Sequence, residues 1–197
     1  MNEHFSDVYV KKAQQQGLRS RAVFKLEEID RKDRIFKRGQ RVVDLGAAPG
    51  GWSEYALAKV GPEGTVVAMD LLPIEPIPGV QFLQGDFSDD DIYGELQALL
   101  KEQKVDLVLS DIAPNMSGSR AVDQPKSMYL SELVLDFAQQ ALADEGVLII
   151  KLFQGEGFDA FLQQARAQFK SVAIRKPKAS RPRSREVYLL ARGFKLV

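Results

Sequence analysis

The stretch VVDLGAAPGGW, residues 42–52, decides the fold class of this chain. An apolar run ends in Asp44, and small residues and glycines then lead to Trp52, the only tryptophan. A buried strand that turns through glycines into a helix is typical of the first unit of a doubly wound α/β sheet, which binds ligands outside the carboxyl ends of its strands. The dinucleotide pattern G-x-G-x-x-G is not met, because the stretch from Gly46 to Gly51 reads G-A-A-P-G-G.

Short apolar runs alternate with helical patterns along the rest of the chain. Strands are predicted at 41–45, 64–70, 80–85, 105–111, 146–153, 171–176 and 185–191, and helices near 7–16, 20–33, 51–60, 91–103, 126–143 and 157–169. Gly146 is interpreted as the stop of the 126–143 helix. This alternation predicts an α/β fold with a doubly wound, mostly parallel seven-stranded sheet. The connection at 177–185 is too short for a helical crossover, so the last two strands are expected to form an antiparallel hairpin.

Composition and charge limit the class of protein. The 197 residues predict one domain, 1–197, with the basic N-terminal helices of residues 1–40 packed on it. The chain has no cysteine and one histidine, His4, so no metal is expected, and it has no apolar run long enough for a membrane span or a signal peptide, which favours the cytoplasm. Residues 1–41 and 166–197 carry net charges of +5 and +9, whereas residues 42–165 carry −14. If the two basic ends meet, they form a cationic surface suited to a polyanion.

Acids follow four successive strands of the predicted sheet: Asp44, Asp70, Asp86 and Asp111. Because the carboxyl ends of parallel strands share one edge, the four carboxylates are expected to lie close together. Such a pocket disfavours a diphosphate and suits a nucleoside with a positive charge, such as S-adenosylmethionine. A carboxylate after the second strand, here Asp70, can bond ribose hydroxyls.

The glycine loop is expected to cradle that ligand. Gly46 would make the turn and Gly50 would let the backbone approach the ligand. Trp52 would either wall the pocket or pack the helix that follows, and its position in the sequence leaves both open.

Two lysines and two acids stand out on other elements. Lys151 ends an otherwise apolar strand, VLIIKLF, and should lie at the same edge as Asp111. Glu186 belongs to the last strand, in a half-buried hairpin. Lys25 lies on a helix, and helical periodicity leaves open whether it reaches the site or the surface.

Six motifs together resemble one known family: RSRAVFKLEEID, VVDLGAAPGGWSEY, DLLPIEPIPGVQFLQGDF, LSDIAPNMSG, IIKLFQGEGFD and KPKASRPRSREVYLLA. The chain resembles, from about residue 4 to 193, the FtsJ-type (RlmE) ribosomal RNA large-subunit 2'-O-methyltransferases of bacteria. The resemblance implies a catalytic tetrad of Lys25, Asp111, Lys151 and Glu186, and cofactor contacts at Gly50, Trp52, Asp70, Asp86 and Asp111. It also implies S-adenosylmethionine as cofactor and, as substrate, a uridine ribose of 23S ribosomal RNA on the large ribosomal subunit.

The expected reaction is displacement of a sulfonium methyl group by a ribose 2'-oxygen. Lys151 is predicted to deprotonate or polarise the 2'-hydroxyl, with Lys25 nearby as a second cation that favours the neutral amine. Asp111 would orient Lys151, and Glu186 would hold one lysine or the ribose. The basic ends would contact RNA phosphates on both sides of the site. The predicted contacts are Arg19, Arg21, Lys32, Arg34, Lys37 and Arg38 on one side, and Lys176, Lys178, Arg181, Arg183 and Arg185 on the other.

Three other functions compete with this one. A nicotinamide dehydrogenase is disfavoured by the unmatched glycine pattern and by the acids. An RNA-binding assembly factor is disfavoured by the intact loop and tetrad. The closer alternative is a ribose 2'-O-methyltransferase that acts on tRNA or on an mRNA cap. A monomer is expected.

Overall fold

The computed structural model describes residues 3–101 and 103–195. Its centre is a seven-stranded sheet with the order β3-β2-β1-β4-β5-β7-β6. The strands are β1 Arg41–Leu45, β2 Thr65–Asp70, β3 Val80–Gln84, β4 Val105–Ser110, β5 Leu142–Phe153, β6 Phe169–Arg175 and β7 Glu186–Phe194. β1 to β5 pair in parallel, and β7 lies antiparallel between β5 and β6. The predicted mostly parallel sheet and its terminal antiparallel hairpin are therefore confirmed.

The described residues form six helices. They are α1 Glu3–Gln15, α2 Val23–Asp33, α3 Gly51–Val60, α4 Asp90–Leu99, α5 Arg120–Ala141 and α6 Phe158–Gln168. Of these, α2 and α3 cover one face of the sheet and α4, α5 and α6 cover the other. On one face, Leu26 of α2 and Ala56 of α3 are buried against Val42 of β1. On the other, side chains of α4, α5 and α6 are buried against strand residues such as Val43. Adjacent residues of β1 thus belong to opposite cores, as a strand covered on both faces requires.

Several element boundaries differ from the sequence prediction, and the structure explains the differences at α5 and β5. α5 begins six residues earlier than predicted, at Arg120, and the Asp123 carboxylate accepts hydrogen bonds from the backbone N–H groups of Ser117 and Gly118 in the turn before it. Gly146 does not stop this helix. The chain passes directly into β5 at Leu142, which is buried and pairs with Val105 of β4, so Gly146 lies inside the strand.

The N-terminal part of the chain packs near the hairpin connection. Ala13 of α1, Phe24 of α2 and Ala179 of the connection form a small apolar cluster, with the ring of Tyr9 at 5.6 Å from that of Phe24. α1 and α2, from the basic first segment, thus lie beside the hairpin connection, from the basic last segment.

No helix within residues 3–101 and 103–195 is long and apolar enough to cross a membrane.

Candidate active site

The carboxyl ends of the parallel strands and the amino end of β7 share one edge of the sheet. Because β7 is antiparallel to β5, its first residue, Glu186, lies opposite Phe153, and Tyr188 lies opposite Lys151. Asp111 follows β4 at the same edge, and its backbone N–H donates to the Leu45 carbonyl at 3.0 Å. The topology thus brings residues from distant parts of the sequence to one place.

The glycine loop after β1 is packed tightly against the end of β4. Gly46 has a φ of +78°, and a Cβ added there would lie 2.7 Å from the backbone nitrogen of Ile112. Only glycine fits, because a side chain would both strain the backbone and collide with the neighbouring strand end. Asp70, at the end of β2, supports the same loop, since its Oδ2 accepts from Ala48 N and its Oδ1 from Leu72 N, both at 2.8 Å.

A cavity of about 620 Å³ opens over these strand ends. Gly46, Asp70, Asp86 and Asp111 line it from the sheet side, and Lys126 and Tyr129 line it from α5. Three carboxylates against one lysine give the lining a negative balance, which repels a diphosphate and attracts a cation. Hydrogen bonds from Ser88 hold the pKa of Asp86 below its usual range, so this carboxyl stays ionised at neutral pH. The size and charge of the cavity fit S-adenosylmethionine, a nucleoside with a sulfonium and an ammonium group.

Trp52 and Gly50 do not line this cavity. The Trp52 side chain is buried between helices, where Nε1 donates to the Ala22 carbonyl at 2.8 Å and the ring lies 5.7 Å from that of Tyr188. The tryptophan ring therefore packs α3 against the start of α2 instead of walling the pocket. Gly50 is the N-cap of α3 with a φ of +103°, so it shapes the turn from the loop into the helix.

Asp44 lies behind the loop and is fully buried. Its Oδ2 accepts from the Ser53 hydroxyl at 2.6 Å, whereas Oδ1 has no partner within the described part of the chain. Burial raises the pKa of Asp44 to about 7, with the nearby carboxylates of Asp111 and Asp70 adding to the rise and Ser53 opposing it. Unlike the other three strand-end acids, Asp44 does not line the cavity.

The four residues of the predicted tetrad meet beside the cavity as two ion pairs. Lys25 Nζ lies 2.6 Å from Glu186 Oε1, and Lys151 Nζ lies 3.2 Å from Asp111 Oδ1. Lys151 also donates to the backbone carbonyl of Asp111 at 2.6 Å. The two lysines are only 8% and 9% exposed, so each ammonium group contacts its carboxylate partner with little access to water. For Lys25, the sequence left the choice between surface and site open, and the structure places it in the site.

Tyr188 is the site residue that the sequence reasoning missed. Its hydroxyl donates to Asp111 Oδ1 at 2.8 Å and lies 3.3 Å from Glu186 Oε1. Burial raises the pKa of Tyr188 well above its usual value, with the two carboxylates adding to the rise, so the hydroxyl keeps its proton. The sequence contained an indication of this role, because strand periodicity places Tyr188 on the same face of the last strand as Glu186.

Further hydrogen bonds hold Glu186 in place. Ser180 Oγ donates to Glu186 Oε1 at 3.0 Å, and Lys176 Nζ donates to the Glu186 main-chain carbonyl. Burial raises the pKa of Glu186, but Lys25, Lys151 and Ser180 together outweigh it, and the net pKa lies below the usual range. Glu186 is therefore a carboxylate at neutral pH. Burial, with the nearby Lys25 ammonium adding to it, lowers the pKa of Lys176, although Glu186 opposes the change.

Several basic residues predicted to contact RNA are held within the protein. Arg19 Nη1 donates to the Glu75 carbonyl at 2.9 Å, and its guanidinium also reaches the carbonyls of Pro49 and Pro76. Arg19 thus ties the segment before α2 to the glycine loop. Arg185 Nη1 bonds the Gln124 side chain and the Gln154 carbonyl. Lys176 donates to the backbone carbonyls of Ser184, in the hairpin connection, and of Glu186, at the start of β7.

The remaining basic residues divide between two edges of the sheet. Arg21 donates to the Ala179 carbonyl at 3.4 Å, and the backbone N–H of Lys178 donates to Glu28 at 2.8 Å, so α2 and the connection meet beside the tetrad. The predicted contacts between α2 and β1 do not flank the site, because this segment leads to the amino end of β1, at the opposite edge. These residues are Arg34, Lys37 and Arg38, whereas Lys32 lies in the last turn of α2. Near the tetrad, the exposed basic residues of the connection are Lys178, Arg181 and Arg183.

The described residues do not offer the arrangement of side chains that a metal ion needs. Within residues 3–101 and 103–195, no three His, Cys, Asp or Glu side chains are grouped so that they could hold a metal ion.

Comparisons with known proteins place the chain among methyltransferases. The family model described as FtsJ-like methyltransferase matches residues 18–194. The chain is 56% identical over 195 residues to a protein of Hydrogenovibrio crunogenus named ribosomal RNA large subunit methyltransferase E, covering 99% of this chain and 95% of the relative. It is also similar to the crystal structure of a putative ribosomal RNA methyltransferase from Plasmodium falciparum. That match has a TM-score of 0.81 and 29% identity and covers 89% of this chain and 98% of the other.

Proposed function

The chain belongs to the FtsJ-like methyltransferase family, and from this premise we propose its donor, its acceptor and the roles of its residues. The donor is S-adenosylmethionine. The acceptor is the ribose 2'-oxygen of a uridine in 23S ribosomal RNA, on the large ribosomal subunit. The relative from Hydrogenovibrio crunogenus bears a name that specifies large-subunit ribosomal RNA, which supports this choice of substrate.

The position of Asp111 is the observation that carries this proposal. This residue lines the carboxylate-rich cavity and at the same time pairs with Lys151 at 3.2 Å. A methyl donor in the cavity and a hydroxyl beside Lys151 would therefore approach each other at Asp111. Holding two reactants in line is the main task of an enzyme whose electrophile is already activated.

The donor would be held by the lining of the cavity. Asp70 is suited to the ribose hydroxyls and Asp86 to the nucleoside end. Asp111 is suited to the methionine end, and Gly46 leaves room for a close approach of the backbone. Gly50 and Trp52 would act indirectly, by shaping the loop, because neither lines the cavity. When bound, S-adenosylmethionine supplies an electrophilic methyl group on a sulfonium.

The two lysines would position and activate the acceptor hydroxyl. The 2'-hydroxyl lies beside Lys151 Nζ, which takes its proton or orients its lone pair toward the methyl group. Asp111 holds Lys151 through its carboxylate and through its main-chain carbonyl. Glu186, ionised at neutral pH, balances the Lys25 ammonium at 2.6 Å and keeps that second cation close to the acceptor. A nearby cation stabilises the negative charge that develops on the 2'-oxygen.

The RNA would lie across α2 and the hairpin connection. Arg21, Lys178, Arg181 and Arg183 surround the tetrad there, and these side chains would neutralise phosphates without reading the base sequence. Phosphate contacts of this kind fix the position of the backbone and so present one ribose to the lysines. Arg19, by contrast, acts on the glycine loop from within the protein.

Methyl transfer to isolated subunits tests this function. Large ribosomal subunits from a strain that lacks the protein are incubated with labelled S-adenosylmethionine, and the modified nucleotide is mapped. We expect one 2'-O-methyluridine in 23S ribosomal RNA and no label in tRNA from the same strain. Label on a base, on tRNA or on a cap analogue would refute the proposed acceptor, and failure to bind the cofactor would refute the proposed donor.

The proposed site requires one copy of the chain. We propose that the chain acts as a monomer and as one methyltransferase domain over residues 1–197, because the tetrad and the cavity lining need no residue from a second copy. A cytoplasmic location follows from the proposed ribosomal substrate. Sedimentation of the protein alone and with subunits would test the monomer.

A further inference from the structure

We propose that Tyr188 is a positioning residue for the methyl transfer, whose buried hydroxyl joins the two lysine–carboxylate pairs into one network and sets how strongly Asp111 holds the Lys151 ammonium. This inference rests on the proposed function, because the lysines are assigned there to the 2'-hydroxyl. Tyr188 does not line the cavity, so it acts through Asp111 and Glu186 and not on the substrate.

The hydroxyl contacts the same carboxylate oxygens that the lysines contact. Asp111 Oδ1 lies 2.8 Å from the Tyr188 hydroxyl and 3.2 Å from Lys151 Nζ. Glu186 Oε1 lies 3.3 Å from the hydroxyl and 2.6 Å from Lys25 Nζ. The contacts therefore run without a gap from Lys151 through Asp111, Tyr188 and Glu186 to Lys25.

The position of this hydroxyl is imposed by the core. Tyr188 is fully buried, and its backbone lies between two strands of the sheet, paired with Lys151 on β5 and with Arg175 on β6. Its ring packs on Trp52 at 5.7 Å. The hydroxyl thus cannot swing to solvent, and the separation of the two carboxylates is set by a rigid element.

A hydroxyl has one proton, so Tyr188 can donate to only one carboxylate at a time. The shorter distance favours Asp111. A hydrogen bond that withdraws charge from Asp111 weakens the attraction between this carboxylate and the Lys151 ammonium. Two carboxylates and two lysines lie around the hydroxyl: Asp111 after β4, Glu186 on β7, Lys151 on β5 and Lys25 on α2. A third lysine, Lys176, follows β6 and lies beyond Glu186.

The test compares Tyr188→Phe with Tyr55→Phe. Tyr55 is the matched control, because its hydroxyl also donates to a carboxylate, Asp30 Oδ2 at 2.9 Å, but on the α2–α3 side away from the cavity. Single-turnover methyl transfer to large subunits is measured with saturating cofactor across neutral and alkaline pH. Cofactor Kd, KM for the subunits and Tm are measured on the same preparations.

In Tyr188→Phe we expect the saturated rate to fall about tenfold to hundredfold, as for a lost hydrogen bond to a charged group. The cofactor Kd and the KM for subunits should stay at the wild-type values. In the profile of rate against pH, the midpoint that belongs to Lys151 should move to higher pH. The reason is that Asp111 then holds the ammonium more strongly. This direction holds whether the reaction needs the amine or the ammonium. Tyr55→Phe should leave the rate and the midpoint unchanged.

A second variant covers the case in which Tyr188→Phe does not fold. Incorporation of 3-fluorotyrosine at position 188 keeps the hydroxyl and makes it more acidic, so it donates more strongly and the midpoint should move to lower pH. An unchanged midpoint in either folded variant overturns the inference, as does an equal loss of rate in Tyr55→Phe. Failure of the proposed function is recognised separately, because the wild-type protein would then leave the ribose unmethylated.

Discussion

Lys151 is bound twice by Asp111, through the carboxylate at 3.2 Å and through the main-chain carbonyl at 2.6 Å. Asp111 is the residue that also lines the cavity, so the position of the lysine is tied to the wall of the cavity.

Replacement of Lys151 should separate chemistry from binding. Lys151→Met keeps the length of the side chain and removes the amine, so methyl transfer should fall about a hundredfold to ten-thousandfold, the range of a lost acid–base group. The cofactor Kd should change little. Lys170→Met, at an exposed lysine on β6, is the control and should keep full activity. Near wild-type transfer by a folded Lys151→Met protein would contradict the role proposed for this lysine.

Replacement of Asp70 should weaken cofactor binding. Asp70→Ala removes two hydrogen bonds that hold the backbone N–H groups of Ala48 and Leu72, together with the carboxylate offered to the ligand. We expect the Kd for S-adenosylmethionine, measured by isothermal titration, to rise at least tenfold. RNA binding should be unaffected. Equal cofactor affinity in the variant and the wild type would refute this assignment.

Arg19 should affect the donor side and not the RNA. Its guanidinium bonds backbone carbonyls at positions 49, 75 and 76, so Arg19→Ala should loosen the glycine loop and raise the cofactor Kd. The salt dependence of RNA binding should stay as in the wild type, because no phosphate contact is lost. Arg31→Ala, at an exposed arginine of α2, is the control. A weaker RNA affinity with unchanged cofactor binding would restore the sequence-based prediction for Arg19.

The hairpin connection should carry phosphate contacts that the opposite edge lacks. The double variant Arg181→Glu, Arg183→Glu should weaken RNA binding and reduce the salt slope of log affinity by about 2, one for each lost contact. The matched double variant Lys37→Glu, Arg38→Glu reverses two exposed charges at the amino end of β1 and should have little effect. Filter binding at several salt concentrations measures both. Equal losses in the two variants would contradict the proposed surface.

The buried acid behind the loop should make stability depend on pH. The pKa of Asp44 rises from 3.8 to about 7 in the folded protein, so the folded state keeps a proton that the unfolded chain releases above pH 3.8. This group therefore lowers the free energy of unfolding as pH increases from about 4 to 7, by roughly 4 kcal/mol, with no further change above that range. Asp44→Asn should flatten the profile in urea unfolding at several pH values. Parallel profiles for the two proteins would show that Asp44 does not titrate in this way.

Local patterns in the sequence were sufficient for the architecture. Apolar runs such as those before Asp44 and Asp111 are buried on both faces, and this property depends on residues close together in the chain. Four acids after four successive strands predicted a charged edge, and three of them, Asp70, Asp86 and Asp111, line the cavity. The unmatched dinucleotide pattern separated this loop from that of a dehydrogenase.

Only the tertiary structure decided which distant side chains meet. The Lys25–Glu186 pair joins residues 161 positions apart, and it forms because β7 inserts between β5 and β6. The same insertion places Tyr188 between two carboxylates. It is the direction of α2 that carries Arg34 and Arg38 to the opposite edge. The periodicity of a sequence indicates which face of a helix or strand is buried. The order of strands and the direction of helices determine which residues that face contacts. This arrangement depends on the whole chain, because all apolar surfaces must be buried together.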